Sequence, residues 1–467
     1  MLKRSIVLIV LIALCAGGTT PASHAQSDGG LRVLALEAAQ APVDAWTAAF
    51  AEASGVSVTV EYAPASEAIL DRAAEADVMI LDDLEAEPPI AFECGFVSRA
   101  YRLLPDLGAR FLASNSCAGS MGPLDEAAQA LVTFMAGPDG QQIAIDLGLL
   151  PATVEIVDQA GEAVSVPQPV RRIASPYSIA TYYVYGVGAG NRLVAAGYLG
   201  ARDPAGAEAM RRLDPNFDTV MNAVSTLNQQ EANIEELAAL QPDLLLASAR
   251  TDWLDAAGEL GLPVIRFEGE SPERLKDAMT LIGAVLGPDA AYRAELFNAY
   301  YDGTLAEILA QTETIEPRAR VLFSGTEPLR VASGEMYQTA MVEAAGGEPV
   351  TADLSGYWND VNLEQVAIWN PEVIFYPPYG GANREAFTES EEWAIIPAVQ
   401  AGRVYGLPKL AAPWDTPVPD SILGILWIAE TLYPDQVTLD CTAEVHAFYN
   451  LFYDYAITED EVQGLCP

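Results

Sequence analysis

Hydrophobic and polar positions alternate along this chain in a pattern that predicts paired strands and helices. Near the start, "LRVLAL" (31–36), "VSVTVEYA" (56–63) and "ADVMIL" (76–81) predict strands. Between the first two, "PVDAWTAAFAEASG" predicts an amphipathic helix that Gly55 ends. A β-α-β-α-β order is typical of an α/β sheet, and we therefore expect a single α/β lobe over residues 26–152.

The rest of the chain, residues 153–467, repeats this alternation twice. A hairpin with its turn at "QAGE" leads into strands and helices that continue to about residue 285. A long stretch without turn signals then predicts one helix, after which the alternation restarts. The patterns predict a first lobe over about 153–285, a linking helix over 287–314, a second lobe over about 318–435 and C-terminal helices over 436–467.

Two stretches in this region are nearly the same. "NIEELAALQPDLLLAS" begins at Asn233 and "NLEQVAIWNPEVIFYP" begins at Asn362, and they match position for position without a gap. Their separation far exceeds the period of a solenoid repeat, so we interpret them as the same helix and strand in two duplicated lobes. Asparagine is a good N-cap, and Glu236 and Gln365 are predicted to complete a capping box at each helix start.

Glu235 and Glu364 occupy the second helical position of the two stretches, and the cap does not need them. A carboxylate at a helix N-terminus complements the helix dipole, which gives one explanation for both residues. A surface that meets a partner gives another, and the residues alone leave both open.

Composition limits the possible partners. The chain has 467 residues, a formal net charge of −41 and 51% hydrophobic residues, which predicts a folded protein of two or three domains. Such an acidic surface repels nucleic acid and anionic lipid headgroups, so we expect no nucleic-acid partner.

The first 25 residues have the pattern of an export signal. Lys3 and Arg4 precede the apolar run "SIVLIVLIAL", and small residues lead up to Ala25. We expect cleavage after Ala25 and a periplasmic or extracellular location. Cys15 raises the alternative of a lipoprotein, although Leu14 stands where such proteins need a small residue.

Cysteine and histidine usage narrows the chemistry. An even number of cysteines in an exported chain suggests disulfides, and the local pairs Cys94–Cys117 and Cys441–Cys466 would each close a short loop. Metal binding by these cysteines is the weaker alternative, because the chain has no CxxC and no Cys/His cluster.

His446 is the only histidine after the signal and is expected to pack, so multi-histidine metal sites and Ser-His-Asp triads are excluded.

Residues 26–152 resemble the periplasmic molybdate-type (type II) binding proteins at both ends of that fold, most clearly in "FMAGPDGQQIAIDLGLLP". The segment that would form the second lobe is missing. The first oxyanion-binding serine of that family has no match in "LALEAAQ", where Glu37 would repel an anion. Ser66 can match the second serine, but Glu67 follows it in place of glycine. We expect a single lobe that has lost its binding site.

Residues 153–467 resemble the cobalamin- and iron–siderophore-binding proteins of ABC importers. The resemblance rests on "IVDQAGEAVSVPQPVRRIAS", "GVGAGNRLVAAGY", the two duplicated stretches, "MVEAAGGEP" and "GRVYGLP", in that family's order. It implies two Rossmann-like lobes bridged by a rigid helix, with an iron complex (siderophore or haem) or cobalamin held between them. It also implies a monomer that has no cofactor, catalyses nothing and delivers its ligand to a membrane permease dimer, docking through Glu235 and Glu364.

In open α/β sheets, ligands lie beyond the carboxyl ends of the strands, so the loops at those ends are the candidate ligand site. Tyrosine and tryptophan there offer flat apolar faces to a large chelate or corrinoid, and Arg250 can pair with a ligand carboxylate. Ordinary packing is the alternative for each aromatic residue. The candidate ligand-binding residues are Tyr177, Ser178, Tyr198, Arg250, Trp253, Tyr337, Tyr357, Trp358, Tyr379 and Trp414.

Other functions compete with this hypothesis. Some bilobed proteins bind molybdate or tungstate, although Glu335 and Asp415 near the expected site would repel a dianion. A bare metal ion is disfavoured because no histidine cluster is available. A metal chelatase needs a proton acceptor in the cleft, and only His446 is available. A ligand sensor, with the first unit as its interaction module, is the last alternative.

Overall fold

The computed structural model describes residues 30–72, 75–82, 97–113, 126–199, 204–259 and 261–467. The predicted signal (1–25), Cys94 and Cys117 lie outside these residues. Contacts divide the chain after Leu150 into two units, which are treated separately below. No described helix combines the length and the apolar character that crossing a bilayer requires.

The first unit has the predicted strands and helices and one hairpin that the sequence patterns missed. The strand order is β2-β1-β3-β5-β4, with β1 parallel to both β2 and β3. The missed strands β4 and β5 are antiparallel and extend the sheet from β3. The described elements are β1 (Leu31–Leu36), α1 (Gln40–Ser54), β2 (Val58–Ala63), α2 (Ser66–Leu70), β3 (Val78–Asp82), β4 (Val97–Leu104), β5 (Leu107–Ala113), α3 (Glu126–Ala136) and α4 (Pro138–Asp146).

The second unit contains two α/β lobes. The first lobe comprises β6 (Thr153–Val157), β7 (Ala163–Pro167), β8 (Ile173–Ser175), α5 (Ser178–Gly186), β9 (Leu193–Ala196), α6 (Pro204–Leu213), α7 (Phe217–Met221), α8 (Ile234–Ala239), β10 (Leu244–Ser248), α9 (Leu254–Glu259), β11 (Val264–Phe267) and α10 (Pro272–Leu286). Helices α6, α7 and α10 were not among the predicted elements. Next comes α11 (Pro288–Thr312), where the pattern predicted one uninterrupted helix. Its 25 residues span about 37 Å, enough to run from one lobe to the other.

The second lobe comprises β12 (Arg320–Phe323), β13 (Arg330–Ala332), α12 (Tyr337–Ala344), β14 (Glu348–Pro349), β15 (Trp358–Asp360), α13 (Leu363–Trp369), β16 (Val373–Tyr376), α14 (Arg384–Thr388), α15 (Pro397–Gln400) and β17 (Val404–Gly406). Three helices follow, α16 (Ser421–Leu432), α17 (Cys441–Phe452) and α18 (Glu459–Val462). A disulfide joins Cys441 to Cys466, which confirms the predicted C-terminal pair.

The two lobes have the same sheet topology. The parallel strands run in the order β11-β10-β8-β9 in the first lobe and β17-β16-β12-β14 in the second. The duplicated stretches supply α8 with β10 and α13 with β16, at equivalent places in the two sheets. Gln241 and Asn370 end these helices with positive φ, at 47° and 51°, each directly before a proline. The structure confirms the predicted fold class of two α/β lobes bridged by a long helix.

The helix starts agree with the predicted caps in one respect and differ in another. The Asn233 side chain accepts a hydrogen bond from the Glu236 N–H, and Asn362 accepts one from the Gln365 N–H, as N-caps do. The predicted reciprocal hydrogen bond, from the Asn233 N–H to the Glu236 side chain, is wrong. The Glu236 carboxylate accepts from the Ser225 N–H at 2.6 Å, which lowers its pKa, while the Asn233 N–H donates to the Thr226 carbonyl.

Helix α16 is buried along nearly its whole length and begins beside a buried carboxylate. Asp420 has no exposed surface and accepts hydrogen bonds from the hydroxyls of Tyr449, at 2.5 Å, and Tyr453. Burial raises the pKa of Asp420 to about 6, and the two hydroxyls only partly oppose that shift. The folded protein therefore binds a proton at Asp420 over a pH range where the unfolded chain does not.

We expect Asp420 to make this protein more stable as the pH falls from about 7 to about 5. A carboxyl whose folded pKa is raised stabilises the fold only when protonated, and this contribution is lost as the pH rises through about 6. Asp420→Asn should remove up to about 3 kcal/mol of the pH-dependent change in unfolding free energy. Urea denaturation between pH 4 and pH 8 measures it, with the exposed Asp435→Asn as the control. Identical pH slopes for Asp420→Asn and the parent chain would contradict the expectation.

Candidate functional site

Loops from the two lobes meet at one arginine. Arg250 follows the carboxyl end of β10 in the first lobe, and its guanidinium carbon lies 4.2 Å from the ring centroid of Tyr357, just before β15 in the second lobe. A cation above an aromatic face at this distance is attracted by the ring's negative face. The Arg250 Nη2 atom also lies 3.2 Å from Glu270 Oε1, so three side chains form one group between the lobes.

Two tyrosines of α5 join the lobes at a second place. The Tyr182 hydroxyl lies 3.0 Å from the backbone oxygen of Ala411, and the Tyr183 hydroxyl lies 3.0 Å from that of Pro417. Both tyrosines are fully buried, so these bonds satisfy groups that water cannot reach. Helix α5 begins at the carboxyl end of β8, and residues 411–417 follow β17, so both partners come from the strand ends that the sequence pointed to.

Seven of the ten predicted ligand-binding side chains retain exposed surface. Arg250 and Tyr357 are exposed, the latter by 47%, and the other five are partly buried. Several of the seven have their polar ends engaged within the chain. The Tyr198 hydroxyl is 3.0 Å from that of Tyr185, and Trp253 Nε1 donates to the Asn228 carbonyl at 2.8 Å. What these two residues can offer a solute is the faces and edges of their rings. The five partly buried residues are Ser178, Tyr198, Trp253, Trp358 and Tyr379.

The other three predicted residues are buried in the core. Tyr177 is 3% exposed, and Tyr337 and Trp414 are fully buried, so they present almost no surface to a solute. The Tyr337 hydroxyl lies 2.9 Å from that of Tyr301 on α11 and 2.6 Å from the Ser421 hydroxyl on α16. Packing, the alternative that the sequence left open, describes these three side chains.

A buried carboxylate supports one of the partly exposed tyrosines. The Tyr379 hydroxyl donates to Asp415 Oδ2 at 2.9 Å, and Asp415 has no exposed surface. Burial raises the pKa of Asp415 to about 6, and the hydrogen bond from Tyr379 partly opposes this. Asp415 therefore holds the Tyr379 ring in one position from beneath.

Glu270 is the residue of this group that the sequence patterns did not single out. It lies in the loop after β11, and the carboxyl end of that strand was the available signal. Its side chain is 26% exposed. Burial raises the pKa of Glu270, whereas the Arg250 guanidinium and the backbone amide of Tyr337 oppose that shift. The carboxylate thus faces groups of both lobes.

The pairing of Arg250 with Glu270 changes one expectation. The sequence suggested that Arg250 is available to a ligand carboxylate. In the structure the Glu270 carboxylate already forms an ion pair with the guanidinium, and the Tyr357 ring covers one face of the guanidinium. An incoming anion therefore meets the negative charge of Glu270 beside the guanidinium.

The first unit has a related arrangement. Ser66, the residue that matches an oxyanion-binding serine, is 2% exposed, and its hydroxyl donates to the Asp82 carboxylate. A carboxylate of the same chain therefore takes the hydrogen bond that an oxyanion would need.

The two glutamates of the duplicated helices are exposed. Within the described part of the chain, Glu235 and Glu364 make no hydrogen bond and no ion pair, and neither is needed to cap its helix. Each side chain is therefore available to a partner. His446, by contrast, is partly buried and lies 3.6 Å from Glu459 Oε1. The described residues contain no cluster of three or more His, Cys, Asp or Glu side chains suited to a metal ion.

We expect Tyr337→Phe to lower the free energy of unfolding by about 1–3 kcal/mol, because it leaves the buried Tyr301 hydroxyl without one of its partners. Tyr357→Phe is the matched control: it removes a hydroxyl from an exposed ring and should change stability by less than about 0.5 kcal/mol. Urea denaturation at pH 7 measures both. Equal losses for the two variants would show that Tyr337 does not depend on its buried hydrogen bonds.

Comparison with known proteins places this architecture among binding proteins. The model of a family described as "Periplasmic binding protein" matches residues 177–411. The molybdate-binding protein MolA of Haemophilus influenzae is 28% identical over 271 residues, which cover 52% of this chain and 75% of that protein. A vitamin B12-binding protein of Yersinia pseudotuberculosis is 27% identical over 238 residues, covering 49% of this chain and 77% of that protein.

Among solved structures, a periplasmic solute binding protein from Veillonella parvula superposes with a TM-score of 0.58 at 23% identity. The match covers 67% of this chain and 97% of that structure, which shows a shared fold. Because the family model matches half of the chain, including parts of both lobes and the whole linking helix, this protein belongs to the periplasmic binding protein family.

Proposed function

We propose that this chain is the extracytoplasmic solute-binding protein of an ABC importer. In this proposal it captures an iron complex or cobalamin between its two lobes and delivers it to a membrane permease. The observation that carries the proposal is the contact of Arg250 with Tyr357, which joins loops at the ligand-binding edges of two duplicated lobes. The binding roles named for its relatives support a carrier rather than an enzyme or a sensor.

The aromatic surface of the interlobe site favours a large ligand. Tyr357 is exposed, and Trp253 of the first lobe and Trp358 and Tyr379 of the second lobe are partly exposed. Rings with engaged polar ends bind by apolar contact, which suits the flat faces of a corrinoid or the aryl and alkyl parts of a metal chelate. Capture here needs no cofactor, because the bound metal complex is the cargo.

Molybdate or tungstate is the second candidate, because a relative at 28% identity is a molybdate-binding protein. A small dianion is bound by unengaged hydrogen-bond donors and positive charge. Arg250 is instead neutralised by Glu270, and Asp415 adds a carboxylate beneath Tyr379. These observations favour the larger ligand classes.

In the same proposal, Glu235 and Glu364 dock the protein onto the permease. They occupy equivalent positions in two lobes of the same topology, as contacts with two matching permease subunits require. Basic residues on the permease would be their natural partners. The first unit has no oxyanion site in this proposal, because Asp82 occupies the Ser66 hydroxyl.

Ligand titration tests the capture step. We expect ferric siderophores, haem or cyanocobalamin to quench the tryptophan fluorescence of the purified protein at one ligand per chain. Tyr357→Ala should weaken binding about tenfold or more through the lost ring face, whereas Tyr337→Phe should leave affinity nearly unchanged. Saturable binding of molybdate or tungstate alone would favour the second candidate. Binding of none of these solutes would contradict the proposal.

Charge reversal tests the docking step. The double variant Glu235→Lys/Glu364→Lys should keep the parent affinity for ligand and lose most ligand-stimulated ATP hydrolysis by the reconstituted permease. The control is Glu259→Lys/Glu389→Lys, which changes charge equally at one exposed glutamate of each lobe. Undiminished stimulation by the first variant would leave helix-dipole stabilisation as the role of these residues.

A further inference from the structure

Arg250 and Glu270 together indicate which ligand charge the interlobe site accepts. Arg250 is a basic side chain at the place where the lobes meet, and it contacts Glu270 of its own lobe and Tyr357 of the other. Its charge is therefore balanced before any ligand arrives. An anion that bound the remaining donors of Arg250 would lie beside the Glu270 carboxylate, and the repulsion between these like charges lowers its affinity.

The surroundings of Glu270 do not offer it a second basic partner among the described contacts. The neighbouring Glu268 pairs with Arg274 at 3.7 Å, and Glu335 of the second lobe accepts from the Gly356 N–H at 3.0 Å. Asp415 lies below Tyr379 in the same lobe as Glu335. Glu335 thus adds a carboxylate next to Tyr357 in the second lobe, and the whole chain is strongly acidic. The local and the overall fields both favour a neutral or positively charged solute.

We propose that Glu270 acts as a charge filter that withholds Arg250 from anions, so that the site selects neutral or positively charged metal complexes and rejects free oxyanions and polyanionic chelates. The proposal rests on the proposed solute-binding function and narrows its ligand class. Glu270 is a specificity-determining residue in this account: it prevents one contact and need not touch the ligand. Tyr357 completes the arrangement by covering one face of the guanidinium.

Neutralising Glu270 tests the filter. Glu270→Gln keeps the shape of the side chain and releases Arg250 from its ion pair. Isothermal titration with sodium molybdate should give a molybdate affinity at least about tenfold higher for Glu270→Gln than for the parent chain. Glu268→Gln, two residues away and also on an exposed pair, should change that affinity by less than about threefold. Glu270→Ser provides a second variant if Glu270→Gln folds poorly.

Two further measurements test whether the gain in molybdate affinity depends on Arg250 and on the charge of the ligand. Arg250→Gln added to Glu270→Gln should return molybdate binding to the parent level. Between the parent chain and Glu270→Gln, the affinity for neutral cyanocobalamin should change less than the affinity for molybdate, since cyanocobalamin does not compete for Arg250. A molybdate affinity that is equal in the parent, Glu268→Gln and Glu270→Gln chains, or a gain that survives Arg250→Gln, would overturn the proposal.

Failure of the Glu270 proposal can be distinguished from failure of the proposed solute-binding function. A parent chain that binds no iron complex and no cobalamin defeats the proposed function, whatever the molybdate result. The comparison of molybdate affinities among the variants still decides whether Glu270 blocks Arg250. Far-ultraviolet circular dichroism and melting curves of each variant establish that the compared chains are folded.

Discussion

The second unit depends on buried hydrogen bonds between its lobes. Tyr182 and Tyr183 of α5 each donate a hydroxyl to a backbone carbonyl of the segment that follows β17, in surroundings without water. Breaking the Tyr183 bond would leave a buried hydroxyl unpaired, at a cost of about 1–3 kcal/mol, whereas the Tyr182 hydroxyl also has the Leu199 carbonyl 3.1 Å away. These bonds join the segments that follow β8 and β17, and Arg250 and Tyr357 form a second contact between the same two lobes.

The duplication explains much of the rest. Each lobe turns from a helix into a central buried strand through an N-cap asparagine at the start and a residue with positive φ at the end. Equivalent local sequences yield equivalent local geometry, so both lobes present an exposed glutamate at the same helical position. The interlobe site does not share this equivalence between the lobes. Arg250 and Glu270 come from the first lobe and supply charged groups, whereas Tyr357 comes from the second lobe and supplies an aromatic ring.

Predictions from sequence succeeded where structure is local. Strands β1 to β3 of the first unit, the linking helix, the duplicated helices and the C-terminal disulfide follow from periodicity, capping and cysteine spacing. The hairpin of β4 and β5 was missed, as were α6, α7 and α10. The capping box at Glu236 was wrong because a backbone amide at Ser225, brought close by a preceding turn, offers its carboxylate a closer partner.

The sequence by itself determined the order of elements, the duplication and the family, because these follow from patterns of neighbouring residues and from the order of the motifs. Only the tertiary structure decided which aromatic side chains are available. Tyr337 and Trp414 have the same residue types as Tyr357 and Trp358, yet the first two are fully buried against other segments. It also decided that Arg250 is paired, since Glu270 reaches it only after β10 and β11 align side by side in one sheet. Burial and ion pairing depend on segments far apart in the chain, and no local pattern encodes them.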